Sequence, residues 1–139
     1  EWQSIIGFVP QSVYLLDESI AKNIAFGINE EKINFDKIKK IIQDLNLNDL
    51  INDSKLGLET LVGERGVRIS GGQLQRIGIA RALYKDPDVL VLDEITSSLD
   101  EETEDKIMKL IENFKGKKTI IIISHKKRCL ENCDQIINL

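Results

Sequence analysis

The sequence predicts an α/β fold built on a parallel sheet. Residues 89–92 and 120–123 are short, continuous runs of Val, Leu and Ile, the second opened by Thr119, and these runs are typical of strands buried on both faces of such a sheet. Residues 5–9 form a third strand-like run, which Pro10 ends. Sequence with helical character separates the three runs, as expected for an α/β chain.

The other elements follow from cap residues and apolar periodicity. Ser19 is suited to cap a short helix that Gly27 terminates. Two adjacent glycines, Gly71 and Gly72, open a further helix that continues to residue 84, and a helix over 101–115 ends at Gly116. Helices are also predicted at residues 34–45 and 47–51, a loop at 58–68, and a last strand at 134–139.

Composition indicates one ordinary globular domain. The 139 residues are 42% hydrophobic and 30% charged, with a net charge of −4, so no basic excess favours nucleic acid as a partner. No apolar run approaches the roughly 20 residues of a membrane helix, so any membrane link is expected through another segment or chain. The two cysteines, Cys129 and Cys133, lack neighbours at zinc spacing and are expected to be reduced cytosolic thiols.

The turn before the long central helix suits an anion. Gly71 and Gly72 carry no Cβ, so a bulky anion can approach the backbone closely. A helix N-terminus also presents unpaired N–H groups and the positive end of the helix dipole, and Ser70 adds a hydroxyl donor. These features predict a phosphate contact at residues 70–72, although such a turn is most often a simple loop.

Two acids follow the strand at 89–92. In open α/β sheets, ligands bind at the carboxyl ends of the strands. Asp93 is therefore placed to hold a nucleotide-bound Mg²⁺, and Glu94 to orient or deprotonate an attacking water.

In this order and spacing, the phrases ISGGQ, QRIGIARAL, VLVLDE and SSLD resemble the ABC-type ATPases. In that family they are the signature motif and its helix, Walker B with its catalytic glutamate, and the D-loop. The resemblance implies a P-loop NTPase-like (RecA-like) parallel sheet core, here partial, with an inserted α-helical signature subdomain. It divides the chain into a Q-loop strand and loop (1–16), a helical subdomain with the signature (17–87), and a catalytic core with Walker B, D-loop and H-loop (88–139).

Three further phrases are similar to family motifs. Gln11 stands where the family has its Q-loop glutamine, and Ser124-His125-Lys126 matches the H-loop, usually SHR. The phrase VGERG at residues 62–66, with Glu64 as its acid, resembles a segment of the exporter branch that contacts the transmembrane domain. The resemblance therefore implies the ATP-binding domain of an exporter at the cytoplasmic face of a membrane.

The resemblance also implies the role of each site residue. Asp93 and Gln11 would serve Mg²⁺, Glu94 would be the general base, and His125 would hold the γ-phosphate and the water. The residues that would contact ATP bound to a second nucleotide-binding domain, in a head-to-tail dimer, are Ser70, Gly71, Gly72, Gln73 and Asp100.

Two departures from the family pattern stand out. The P-loop sequence G-x-x-x-x-G-K-[ST] is missing, and residues 116–119 (GKKT) only imitate its end. The chain is therefore expected to be the C-terminal part of a nucleotide-binding domain, with one edge of its sheet core left uncovered. In addition, Ile95 stands where the family usually has alanine.

Two alternatives remain open. A soluble ABC-type ATPase without a transport role would share the signature and Walker B. A non-catalytic module could use the signature only to complete the ATP site of a partner, although Gln11, Glu94 and His125 together argue against such degeneracy.

Overall fold

The computed structural model describes residues 5–52, 54–64 and 67–138. In chain order the strands and helices are β1 (Ile6–Val9), α1 (Ile20–Ile24), α2 (Phe35–Asp44), α3 (Asn48–Asn52), α4 (Gly71–Tyr84), β2 (Val89–Asp93), α5 (Glu101–Glu112), β3 (Thr119–Ile123) and α6 (Lys127–Leu130). Short 3-10 turns occur at Glu30–Lys32 and Gly57–Glu59. Within the described ranges, no helix combines the length and the apolar character needed to cross a membrane.

The three strands form one parallel sheet in the order β1-β2-β3. Val9 at the end of β1 lies beside Leu92 of β2, and Asp93 at the end of β2 lies beside Ile123 of β3. The strands therefore finish at the same edge, which brings the loops that follow them together. The parallel α/β core expected from the sequence is confirmed.

Side-chain caps fix where the helices begin. The hydroxyl of Ser19 accepts a hydrogen bond from the Lys22 N–H at the start of α1, as its position predicts. Gly27 has a φ of +79° just beyond this helix, which favours glycine. The helix at 101–115 is shorter than predicted, since α5 ends at Glu112 and Gly116 lies in the turn that leads to β3.

Helix α4 packs between the sheet and the smaller helices. It contacts β1 on one side and α1 and α2 on the other. Gly78 permits this close approach, because a Cβ at that position would lie 2.6 Å from Cγ2 of Val13. On the covered face of the sheet, Leu90 and Leu92 are fully buried. Ile95, the departure from the family pattern, is also buried in this core.

The opposite face of the sheet is open, so the prediction that β2 and β3 are buried on both faces is wrong. Phe8, Val91 and Ile121 form one row across the three strands on this face. Phe8 is 54% and Ile121 47% exposed, and Val91 is half-buried. An apolar run shows that a strand can be covered on both sides, but the covering segment must come from elsewhere in the fold.

The predicted last strand is also wrong over its described part. Residues 134–138 form no strand, and residue 139 lies outside the described residues. A groove of about 860 Å³ lies beside β3 and is lined by Ile122 of the strand, Met108 of α5 and Ile136 of the C-terminal segment. Of the two free cysteines, Cys129 is buried and Cys133 half-buried.

The open face predicts self-association of the 139 residues alone. We expect sedimentation velocity to detect concentration-dependent oligomers, because contiguous apolar surface is removed from water when two copies meet. The double variant Phe8→Ser/Ile121→Ser should reduce this association. Leu56→Ser, which alters an exposed apolar side chain away from the sheet, should leave it unchanged. A wild-type chain that stays monomeric at all concentrations contradicts the prediction.

Candidate active site at the carboxyl edge of the sheet

Three predicted site residues lie in the loops at the carboxyl edge of the sheet. Glu94 follows β2 directly, Gln11 stands two residues beyond β1, and His125 two residues beyond β3. Because the strands are parallel and in register, their following loops meet here. Hydrogen bonds join each of these loops to the residues that follow β2.

Glu94 adopts an uncommon backbone conformation. Its φ is +49°, in the left-handed region that non-glycine residues rarely enter. Its N–H donates to the carbonyl O of Ile123 at 2.9 Å, which holds the residue against the end of β3. Strained residues of this kind are common at functional sites, where the surrounding structure maintains them.

The two carboxylate oxygens of Glu94 have different surroundings. Oε1 accepts a hydrogen bond from the backbone N–H of His125 at 3.1 Å and lies 2.9 Å from Nδ1 of its ring. Oε2 is buried and has no hydrogen-bond partner in the described part of the chain. A buried, unpartnered carboxylate oxygen is unusual in a folded protein and is free to accept a proton or a hydrogen bond from a bound molecule.

The loop after β1 is held from two sides. Nε2 of Gln11 donates to Oγ of Ser97 at 3.1 Å, and the Gln11 carbonyl accepts from Nε2 of Gln75 at 3.0 Å. Gln75 is a buried residue of α4, so the signature helix contacts the Q-loop backbone directly. Sequence reasoning gave no site role to Ser97 or Gln75, although they open the phrases SSLD and QRIGIARAL that carry the family resemblance.

The residues after β2 form a tight turn that we call the turn 94–97. The N–H of Ser97 donates to the carbonyl O of Glu94 at 3.1 Å and closes it. One end of the turn contacts His125 and the other contacts Gln11. It therefore joins the Q-loop, Walker B and H-loop positions that the sequence singled out.

The signature residues serve as helix caps. The hydroxyl of Ser70 accepts from the Gln73 N–H at 3.2 Å, and Oε1 of Gln73 accepts from the Ser70 N–H at 2.9 Å, which forms a capping box. Nε2 of Gln73 donates to Asp49 in α3. A second close approach is made by Gly72, since a Cβ there would lie 2.6 Å from Cγ2 of Thr103.

Asp100 caps the next helix. Its carboxylate accepts from the backbone N–H of Thr103 at 3.0 Å and from the Thr103 hydroxyl at 2.8 Å. These two hydrogen bonds hold the pKa of Asp100 below its ordinary value. The signature turn thus lies against the start of α5, and within the described residues no hydrogen bond joins it to Gln11, Glu94 or His125.

Asp93 is the proposed metal ligand. It ends β2 and is half-buried at the same edge of the sheet. Among the described residues, no group of three or more His, Cys, Asp or Glu side chains is arranged to hold a metal ion. Mg²⁺ in nucleotide sites commonly uses one or two carboxylates together with substrate phosphates, so the metal role of Asp93 stays a prediction.

The sequence at 116–119 that imitates a P-loop has a different function. Nζ of Lys118 donates to Oδ1 of Asp86 at 2.9 Å and to the Pro87 carbonyl at 2.6 Å. The contact with Lys118 holds the pKa of Asp86 below its ordinary value. Lys118 therefore secures the connection before β2.

An exposed apolar segment lies beside the exporter-like phrase. Tyr14 is 80% exposed and Leu16 is also exposed. Oδ1 of Asp17 accepts from the Glu64 N–H at 2.6 Å, and a Cβ at Gly63 would lie 2.5 Å from the same oxygen. The segment 14–17 is thus fixed next to residues 63–64. Arg65 and Gly66, which complete the phrase VGERG, lie outside the described residues.

Two helical residues, Asn23 of α1 and Arg81 of α4, are hydrogen-bonded to the backbone of the segment 14–17. Buried Asn23 accepts from the Leu16 N–H at 2.9 Å and donates to the Leu16 carbonyl at 3.1 Å. Arg81 donates to the Tyr14 carbonyl at 3.1 Å and to the Asn23 carbonyl at 2.9 Å, and burial lowers its pKa. The exposed side chains of Tyr14 and Leu16 are therefore carried by a backbone that these hydrogen bonds hold in place.

Comparison with known proteins agrees with these motifs. The family model described as ABC transporter matches residues 1–97. The chain is 39% identical to an ATP-dependent lipid A-core flippase of Cupriavidus metallidurans over 96% of this chain and 23% of that protein. It is 43% identical to ABC transporter B family member 6 of Dictyostelium discoideum over 99% of this chain and 20% of that protein.

A solved structure has the same fold. A bacterial Atm1-family ABC exporter, determined with ATP bound, superimposes with a TM-score of 0.77 and 33% identity over 94% of this chain and 22% of that one. The chain thus spans between a fifth and a quarter of the length of the proteins to which it is similar. The implied fold class, an α/β P-loop NTPase-like core that is only partial, is confirmed. On its sequence and its structure, the chain belongs to the ABC transporter family.

Proposed function

We propose that this chain supplies the hydrolytic half of an ATP site in the nucleotide-binding domain of an ABC exporter. The observation that carries the proposal is the carboxylate of Glu94, which His125 holds through one oxygen while the other is buried and unpartnered. A general base needs an oriented oxygen whose lone pairs are not already taken by hydrogen bonds from the protein. In the whole protein this site would hydrolyse ATP at the cytoplasmic face of a membrane.

The chain's residues would divide the reaction as follows. Oε2 of Glu94 accepts the proton of the attacking water, while the ring of His125 keeps Glu94 oriented and its exposed edge reaches the γ-phosphate. Gln11 approaches from the neighbouring loop and is held there by Ser97. Mg²⁺, bound with the nucleotide near Asp93 and Gln11, would neutralise the phosphate charge.

The signature turn would complete a different ATP site. Ser70, Gly71, Gly72 and Gln73 stand at the N-terminus of the 14-residue helix α4, whose free N–H groups and dipole favour an anion. None of the four is hydrogen-bonded to Glu94 or His125 in the described residues, which supports a role toward ATP held by a second nucleotide-binding domain, with Asp100 at the seam. We assign these roles to three segments: the Q-loop strand and loop (1–16), the helical subdomain with the signature (17–87), and the catalytic core (88–139).

The exposed segment 14–17 would dock a transmembrane domain. Tyr14 and Leu16 offer apolar contacts, and Glu64 lies beside them through its bond to Asp17. The similarity to a lipid A-core flippase and an Atm1-family exporter supports a transport partner. It favours an exporter over the alternative of an ABC-type ATPase unconnected with transport.

ATP binding tests the proposal. We expect calorimetry with Mg²⁺ to detect no ATP binding by the 139 residues alone, because no P-loop sequence is present, and binding by the longer protein that includes a P-loop. Tight binding by the 139 residues alone would mean a nucleotide site elsewhere. Binding without hydrolysis by the longer protein would favour the non-catalytic module instead.

A further inference from the structure

A buried ion pair lies behind the turn 94–97. Nζ of Lys126 contacts Oε2 of Glu104 and donates a hydrogen bond to the carbonyl O of Thr96 at 2.9 Å. Glu104 is only 3% exposed although it lies in the first turn of α5, and Lys126 is half-buried. Charges buried in this way are costly unless good hydrogen bonds compensate them.

The polar groups around Glu104 provide that compensation. The hydroxyl of Thr96 and the thiol of Cys129 lie 3.3 Å apart, and both favour the ionised form of the Glu104 carboxylate by lowering its pKa. Burial raises the pKa of Glu104, but the hydrogen bond and charge of Lys126, together with Thr96 and Cys129, outweigh it. The net result is a pKa of Glu104 below its ordinary value, so this carboxylate is ionised near neutral pH.

The pair is connected to both catalytic loops. Lys126 follows His125 directly in the chain, and its ammonium donates a hydrogen bond to the carbonyl of Thr96, two residues after Glu94. The same carbonyl accepts from the N–H of Leu99 at 3.1 Å, so Lys126 fixes the turn 94–97 where the chain leaves it. Glu104 in turn holds the ammonium in place from α5.

We propose that Lys126 and Glu104 are positioning residues for ATP hydrolysis, which hold Glu94 and His125 in fixed positions relative to each other. The proposal rests on the function proposed above. Neither side chain belongs to the groups that would contact nucleotide. Their effect is on geometry. Without the contacts of Lys126 with Glu104 and Thr96, the turn 94–97 and the loop that carries His125 can move apart, and Oε2 of Glu94 loses its fixed direction.

A positioning role and a merely stabilising role predict different kinetics. If the pair only stabilises the fold, its loss lowers the melting temperature and leaves the turnover of the folded protein unchanged. If it positions the base, its loss lowers kcat while the KM for ATP changes little, because the nucleotide contacts remain. Small displacements of catalytic groups reduce rates by about 10- to 100-fold.

The test uses the full-length protein. Lys126→Met removes the ammonium and keeps most of the side-chain length, and Glu104→Gln keeps the shape and removes the charge. We expect each to lower kcat by about 10- to 100-fold and to change the KM for ATP by less than about twofold. Lys126→Arg should recover most of the lost kcat, since a guanidinium can donate to both the carboxylate and the carbonyl. Lys127→Met, at the adjacent exposed lysine, is the matched control.

Melting temperatures and a catalytic control make the outcomes distinct. The proposal is overturned if folded Lys126→Met and Glu104→Gln proteins turn over within about twofold of Lys127→Met, or if KM rises while kcat stays constant. If Lys126→Met does not fold, the kcat of Glu104→Gln alone decides whether the proposal stands. Failure of the proposed function looks different, because wild type would then hydrolyse no ATP or Glu94→Gln would remain active.

Discussion

Glu94→Gln is expected to lower ATP hydrolysis by the full-length protein at least about 100-fold while ATP still binds. The amide has the same shape as the carboxylate, and its oxygen can accept the same hydrogen bonds from His125. What it lacks is a basic oxygen at the position of Oε2, the atom that has no partner in the described part of the chain. The loss should therefore fall on kcat, with the affinity for ATP retained.

Two measurements check this result. Phosphate release under saturating ATP reports kcat, and calorimetry with Mg²⁺-ATP reports binding. Glu59→Gln removes a carboxylate from an exposed position far along the chain from the site and should leave both unchanged. If Glu94→Gln retains hydrolysis within about tenfold of wild type, another residue is the general base.

Much of the architecture is predictable from local signals. The strands at residues 6–9, 89–93 and 119–123 follow from apolar runs, and Ser19 reveals the start of α1 through its cap. Parallel pairing then places the polar residues after each strand at one edge. The contact between Glu94 and His125, which are 31 positions apart, is a consequence of register rather than of any local preference.

What the sequence did not reveal depends on contacts between distant segments. The apolar pattern of β3 is the same whether its outer face is covered or open, so the exposure of Ile121 could not be foreseen. Residues 134–138 were expected to form a strand but pair with no strand in the described chain. Ion pairs such as Lys126 with Glu104 leave no periodic signal, because each partner resembles an ordinary surface charge.

Gly72 is expected to be the most sensitive position of the signature turn. A Cβ at residue 72 would lie 2.6 Å from Cγ2 of Thr103, and the Thr103 side chain is tied by its hydroxyl to Asp100. Overpacking of this kind costs about 1–3 kcal/mol, more than the roughly 1 kcal/mol that alanine can gain over glycine in a helix. Gly72→Ala should therefore lower the free energy of unfolding.

The matched variants separate packing from ligand contact. Thr103→Ser removes only the methyl group that would clash and keeps the hydroxyl that bonds to Asp100, so Gly72→Ala/Thr103→Ser should recover most of the lost stability. At Gly71, a Cβ would meet only the end of the Leu99 side chain at 3.3 Å, and Gly71→Ala should cost little or no stability. Chemical denaturation of the full-length variants measures these differences.

The rate of ATP hydrolysis and the free energy of unfolding should not change in parallel among the variants of Gly71 and Gly72. If residues 70–72 contact the γ-phosphate of ATP on a second domain, a Cβ on the exposed Gly71 crowds the approach of the anion to the backbone, whereas a Cβ on the buried Gly72 points at Thr103. We therefore expect ATP turnover to be at least about tenfold low in the stable Gly71→Ala variant, and to return together with stability in Gly72→Ala/Thr103→Ser. Normal turnover in Gly71→Ala would mean that the signature turn makes no such contact with ATP.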